Sequence, residues 1–93
     1  MIVRFHIDPM EQGLYEYSVS YEGEALYADV GLGSIVDCIV AATEGLDQDA
    51  VAAEIAYKGV ISGTYALASL ALVSAQIADH ALQTTTAIEE VRQ

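Results

Sequence analysis

Apolar and polar residues alternate along the first thirty positions, which is the period of a strand with one buried face. Val3, Phe5 and Ile7 share one side of a first segment, and Arg4, His6 and Asp8 share the other. The stretch Asp8–Gly13, with Pro9 and Gly13, reads as a reversal. In the second segment Tyr15, Tyr17, Val19 and Tyr21 lie opposite Glu16, Ser18 and Ser20. Glu22-Gly23-Glu24 supplies a tight turn, after which Leu26, Ala28 and Val30 alternate with Tyr27 and Asp29. The pattern predicts a three-stranded antiparallel meander over residues 2–30.

From Gly31 the period lengthens to that of helices. Ser34, with Asp37 three positions on, approximates a capping box and predicts a helix over 35–44. Gly45 suits the left-handed position that closes it. Asp47 reads as the cap of a short helix over 48–57 ended by Gly59, and Thr64 as the cap of a long helix over 64–91. The expected fold class is α+β: a three-stranded antiparallel β-meander followed by two short helices and one long C-terminal helix. It forms a single domain over 1–93, with the sheet at 2–30 and the helical part at 34–91. The long helix carries two apolar stripes, one through Leu70, Val73 and Ile77 and one through Ala71, Ser74 and Ala78. One stripe covers the sheet. The other is covered either by the short helices or by a second copy, giving a homodimer through the 64–91 helix.

Ninety-three residues leave room for one modest core. An apolar fraction of 54% against 18% charged residues is the composition of a chain that folds. Gly59–Ala78 holds no charge and is long enough to span a membrane. Its Ser62, Gly63, Thr64, Ser69 and Gln76, with many alanines, argue instead for a buried or dimer-forming helix, so no membrane partner is expected. The first residues lack a basic segment followed by an apolar run, so no secretory signal is expected. With one cysteine, Cys38, this points to a cytoplasmic protein.

Charge narrows the classes further. Fourteen acidic residues against three basic ones give a net charge of −11, which argues against direct binding of nucleic acid or an anionic membrane. Eleven of the acidic residues, but only Arg4 among the basic ones, precede position 55. Glu16, Glu22, Glu24, Asp29, Glu44, Asp47 and Asp49 fall on predicted turns, loops and polar faces, and Tyr21 and Tyr27 are interleaved with them. Rings as anchors amid steering carboxylates fit the capture of a basic protein surface, and these nine residues form the expected partner-binding set. The same charge also serves solubility.

Candidate chemistry is sparse. His6 and His80 fall in different elements, and neither has a metal-ligand spacing. Cys38 sits among apolar neighbours without the positive charge that would favour a thiolate. Gly31-Leu32-Gly33-Ser34 lacks the third glycine or lysine of a phosphate loop, and Asp47-Gln48-Asp49 lacks the later glycine and glutamate of a calcium loop. No catalytic residue, metal ligand or cofactor is expected, and the protein reads as a non-enzyme.

The hairpin Gly13-Leu14-Tyr15-Glu16-Tyr17-Ser18-Val19-Ser20-Tyr21-Glu22-Gly23, followed by Gly33-Ser34 and an Ala-rich helix, resembles small acidic phage-encoded anti-CRISPR proteins over residues 13–45. That resemblance implies a stoichiometric inhibitor of a basic nucleic-acid channel in a host complex, in some members by placing carboxylates where phosphates would lie. The first 45 residues are also similar in strand order to HicB-type antitoxins, which implies a small dimeric partner-binding module. Those proteins have a further strand after the first helix, where the pattern here continues as helix.

Overall fold

A computed structural model describes residues 1–92; Gln93, the last residue of the expected domain, lies outside the described residues. The meander forms as β1 (Ile2–Glu11), β2 (Leu14–Tyr21) and β3 (Glu24–Leu32), and α1 (Ile35–Glu44) follows it. The Asp37 N–H donates to Ser34 Oγ at 3.0 Å, so the expected cap is in place.

Beyond α1 the expected helices give way to strands. Residues 52–57 and 60–66 are β4 (Ala52–Tyr57) and β5 (Val60–Ala66), and the long helix is replaced by α2 (Leu67–Leu72) and α3 (Ser74–Arg92). The fold is therefore a five-stranded mixed sheet of order β3-β2-β1-β4-β5 with three helices, and not a three-stranded meander followed only by helices. β4 runs parallel to β1 from Ile2↔Ala52 to Ile7↔Tyr57, and β5 returns antiparallel to it. Pairing with β1 overrides the helix preference of the alanines, because Ala53, Ile55 and Tyr57 alternate into the core where a helix would scatter them.

The turn between these strands is where strand replaces the expected helix end. Lys58 and Gly59 both have positive φ, 54° and 80°, as do Glu22 and Gly23 at 52° and 83°. Both are two-residue hairpin turns of the primed type. Gly59 thus closes a hairpin and no helix. Thr64 lies in β5 opposite Glu54 and caps nothing. β1 also runs further than expected, through Pro9. β4 pairs with β1 only as far as Ile7, so proline falls where one side of β1 has no ladder to lose.

The helices cover one face of the sheet. Val3, Phe5 and Ile7 of β1, Val19 of β2 and Ile55 of β4 meet Ile39 and Cys38 of α1, Leu70 of α2 and Ala81 of α3, all essentially inaccessible. Thr85 of α3 is buried and donates to the Tyr57 carbonyl at 2.9 Å, pinning α3 to the end of β4. Thr85→Val keeps the shape and leaves that carbonyl without its partner. It is expected to cost about 1–2 kcal/mol in denaturant unfolding, and no loss would show the bond to be dispensable.

Gly45 serves space and not the left-handed region, since its φ is −83°. A Cβ there would come within 2.9 Å of the Tyr27 ring. That ring is held by its hydroxyl, which donates to the Ala42 carbonyl, and by an edge contact with Tyr17 at 6.4 Å between centroids. Gly45→Ala is accordingly expected to lower stability by about 1–3 kcal/mol, read as a drop in the urea midpoint. An unchanged midpoint would mean that the ring yields freely.

Candidate functional site

Strand directions sort the acidic residues. β1 and β3 run one way, α1 returns, and β4 starts again beside the beginning of β1. The Glu22–Glu24 turn, the end of α1 at Glu44 and the loop with Asp47 and Asp49 therefore collect at one end of the sheet. The Met1 ammonium donates to the Asp49 carbonyl at 2.6 Å and the Val51 N–H to the Met1 carbonyl at 2.8 Å, which holds this loop to the start of β1. Five of the nine expected residues are thus brought together, though they are separated by as many as 27 positions in the chain.

The other four lie elsewhere. Glu16 is on the uncovered face, directly beside Asp8 of β1. Tyr21 and Tyr27 are half-buried and pack against the core from the helix-covered side, so their rings serve the fold. Asp29 stands on the edge strand β3 opposite Tyr17, and its carboxylate accepts the Val30 N–H at 2.8 Å.

The uncovered face has a composition of its own. β1 contributes Arg4, His6 and Asp8, β2 contributes Glu16, Ser18 and Ser20, and β4 contributes Glu54. A shallow, open concavity of about 690 Å³ lies here, bordered by Arg4, His6, Ser20, Glu22 and Glu54 among others. Arg4 Nε donates to Glu54 Oε1 at 2.5 Å, so among the described residues the one Lys or Arg side chain of this face is already paired. His6 Nε2 lies 2.9 Å from Ser20 Oγ, tying β1 to β2. The period-two pattern carried the β1 and β2 half of this face, with Arg4, His6 and Asp8 together on one side. Glu54 was hidden by the helical reading of 48–57.

Among the described residues no group of three His, Cys, Asp or Glu side chains could hold a metal ion, and no helix is long and apolar enough to cross a membrane. Cys38 is fully buried. Burial, with a smaller contribution from Asp37, pushes its thiol up to about 11 from 9.0. Burial, with Tyr17 second, likewise raises the Tyr27 phenol to about 12 from 10.0. Both groups bind their protons more tightly folded than unfolded. Their contribution to stability is complete below pH 9 and is lost as the pH rises through 11 and then 12. The urea midpoint is expected to fall over that window, and Cys38→Ala is expected to delay the first part of the fall. A midpoint flat to pH 11 would contradict it.

No family model, curated protein or solved structure matches this chain.

Proposed function

We propose that this protein is a non-enzymatic, stoichiometric inhibitor that binds a basic, nucleic-acid-binding surface of a partner protein. The observation that carries this reading is the imbalance of charge over one end and one face of the sheet. Glu22, Glu24, Glu44, Asp47 and Asp49 gather at the end and Asp8 and Glu16 on the face, while Arg4 is paired with Glu54. Such a field steers a cationic surface into place and repels nucleic acid itself.

A second reading, an antitoxin-like module of the HicB type, is favoured by one specific observation. The strand that such proteins have after the first helix is present here as β4, parallel to β1. In both readings the partner is a basic protein that acts on nucleic acid, and they differ in whether it is a host complex or a toxin encoded beside the inhibitor.

The test is titration. The immobilised protein is expected to retain a basic nucleic-acid-binding or nucleic-acid-cleaving protein at low salt and release it steeply as salt rises. That partner's activity should disappear at one equivalent of inhibitor. Retention insensitive to salt, or residual activity at excess inhibitor, would contradict the reading.

A further inference from the structure

The sheet is covered on one face only, and its central pair, β1 and β4, is parallel. Sheets built wholly of parallel strands have both faces covered; here only one of the four strand pairs is parallel, so what the open face can take is read from its side chains. The exposed floor is also unlike a solvated sheet face, where long polar side chains are usual. Ser18 and Ser20 of β2 and Ala25 and Ala28 of β3 make its middle low and smooth, with Val30 of β3 standing at the Glu16 end and the taller Arg4 and His6 of β1 alongside. From this face we infer that a cationic α-helix of the partner protein docks along β2. The inference rests on the partner-binding reading above and names the part of the partner that is bound.

Three features select that occupant. The backbone of β2 is paired on both sides, so an added strand could join only at the free edges, β3 and β5, and not on this face, whereas a helix packs on the side chains of the face. A helix about 10 Å across covers two strands set about 4.8 Å apart, which is the width of the β2 and β3 floor. Carboxylates stand at both ends of that floor, Asp8 and Glu16 at one and Glu22 at the other. Glu16 and Glu22 are six residues apart, about 20 Å at strand rise, which is the length of about 13 helical residues. The matching helix has a small-residue inner face and carries Arg or Lys in its first and last turns. A second copy of this chain does not supply it: of its three basic residues, Arg4 belongs to this same face and Lys58 lies in a turn bonded to Glu89, leaving Arg92 alone.

The probe is a stapled 14-residue Ala/Leu helix with two arginines in each terminal turn, titrated into isotope-labelled full-length protein. Amide shift changes are expected along residues 16–22 and at Ala25 and Ala28, with affinity falling as salt rises. Ser18→Trp fills the trough without changing charge and is expected to weaken the peptide at least about tenfold. Ala28→Trp, on the edge strand, is a second obstruction should the first variant fold poorly. A control peptide with the arginines grouped at mid-helix is expected to bind at least about fivefold more weakly. Shift changes confined to the helices, equal binding of the two peptides, or full affinity in a folded Trp variant would each overturn the inference. Conversion of a wild-type dimer to monomer by Ser18→Trp would do the same by assigning the face to a second copy. If a partner captured by the wild type is retained equally by Ser18→Trp, the docking face is refuted and the inhibitor reading stands. If no basic partner is captured while the peptide binds in the trough, the reverse holds.

Discussion

Reversal of Glu22 and Glu24 to lysine together is expected to weaken capture of the basic partner by about tenfold or more, chiefly by slowing association at low salt. The pair changes local charge by four units at the end of the sheet where the acidic residues collect. The fold is expected to tolerate it, and the chain itself provides the argument. Glu22 has φ of 52° in a primed turn before Gly23, and Lys58 has φ of 54° in the corresponding position before Gly59. A lysine therefore already occupies this backbone conformation in a hairpin of the same construction. Stopped-flow association at two salt concentrations, with the thermal transition as the folding control, measures the effect. Unchanged association rates in a folded double variant would remove the acidic rim from the binding surface. His6→Ala with His80→Ala serves as the contrasting variant and is expected to leave capture within about twofold, since it leaves every carboxylate of the acidic rim in place.

The largest effect on stability is expected from Ile55→Ala, at about 2–5 kcal/mol. Ile55 is fully buried in β4, between β1 and β5. A domain of this size has about 5–10 kcal/mol in total, so the loss leaves a marginal protein whose transition falls well below that of the wild type. Val51→Ala, just before β4 and 60% exposed, is expected to change stability by less than about 0.5 kcal/mol. Calorimetry of the two variants distinguishes a strand with one buried side from any arrangement that exposes both residues alike. Equal small losses would contradict the pairing of β4 with β1.

The two halves of the chain differed in how much their sequence disclosed. In β1 and β2 the alternation of Val3, Phe5 and Ile7 with Arg4, His6 and Asp8, and of tyrosines with Glu16, Ser18 and Ser20, is local, and so was legible. Ser34 and Asp37 marked α1 for the same reason. In β4 the alternation of Ala53, Ile55 and Tyr57 is equally regular, but the surrounding alanines satisfy a helical period as well. What decides between the two is the ladder to β1, made by residues fifty positions away. The more local clue was the Lys58-Gly59 pair, which has the hairpin signature already recognised in Glu22-Gly23. The candidate surface divides in the same manner. Glu16 and Glu22 could be placed on an exposed face or turn from pattern alone, whereas the gathering of Glu44, Asp47 and Asp49 beside the β2–β3 turn follows from the crossover that returns the chain to start β4. The burial of Tyr21 and Tyr27 depended on how α1 lies over β2 and β3, which no pattern in the strands reveals.

The parallel pairing of β1 with β4 also has a consequence for the time at which the protein is made. β1, β2 and β3 can assemble as soon as residue 32 is available, but the second side of β1 stays bare until Tyr57 has been synthesised. At about 5–20 residues per second, the interval between the end of β3 and the end of β4 is roughly 1–5 s. Throughout it, the nascent chain presents Ile2 to Ile7 as an open edge, and Val3, Phe5 and Ile7 still lack the cover that α2 and α3 later supply. Contacts of such long sequence separation form late and slowly. The most aggregation-sensitive moment of this molecule therefore falls on the ribosome, when the acidic residues of the β2–β3 turn are already out and supply the repulsion that keeps neighbouring chains apart.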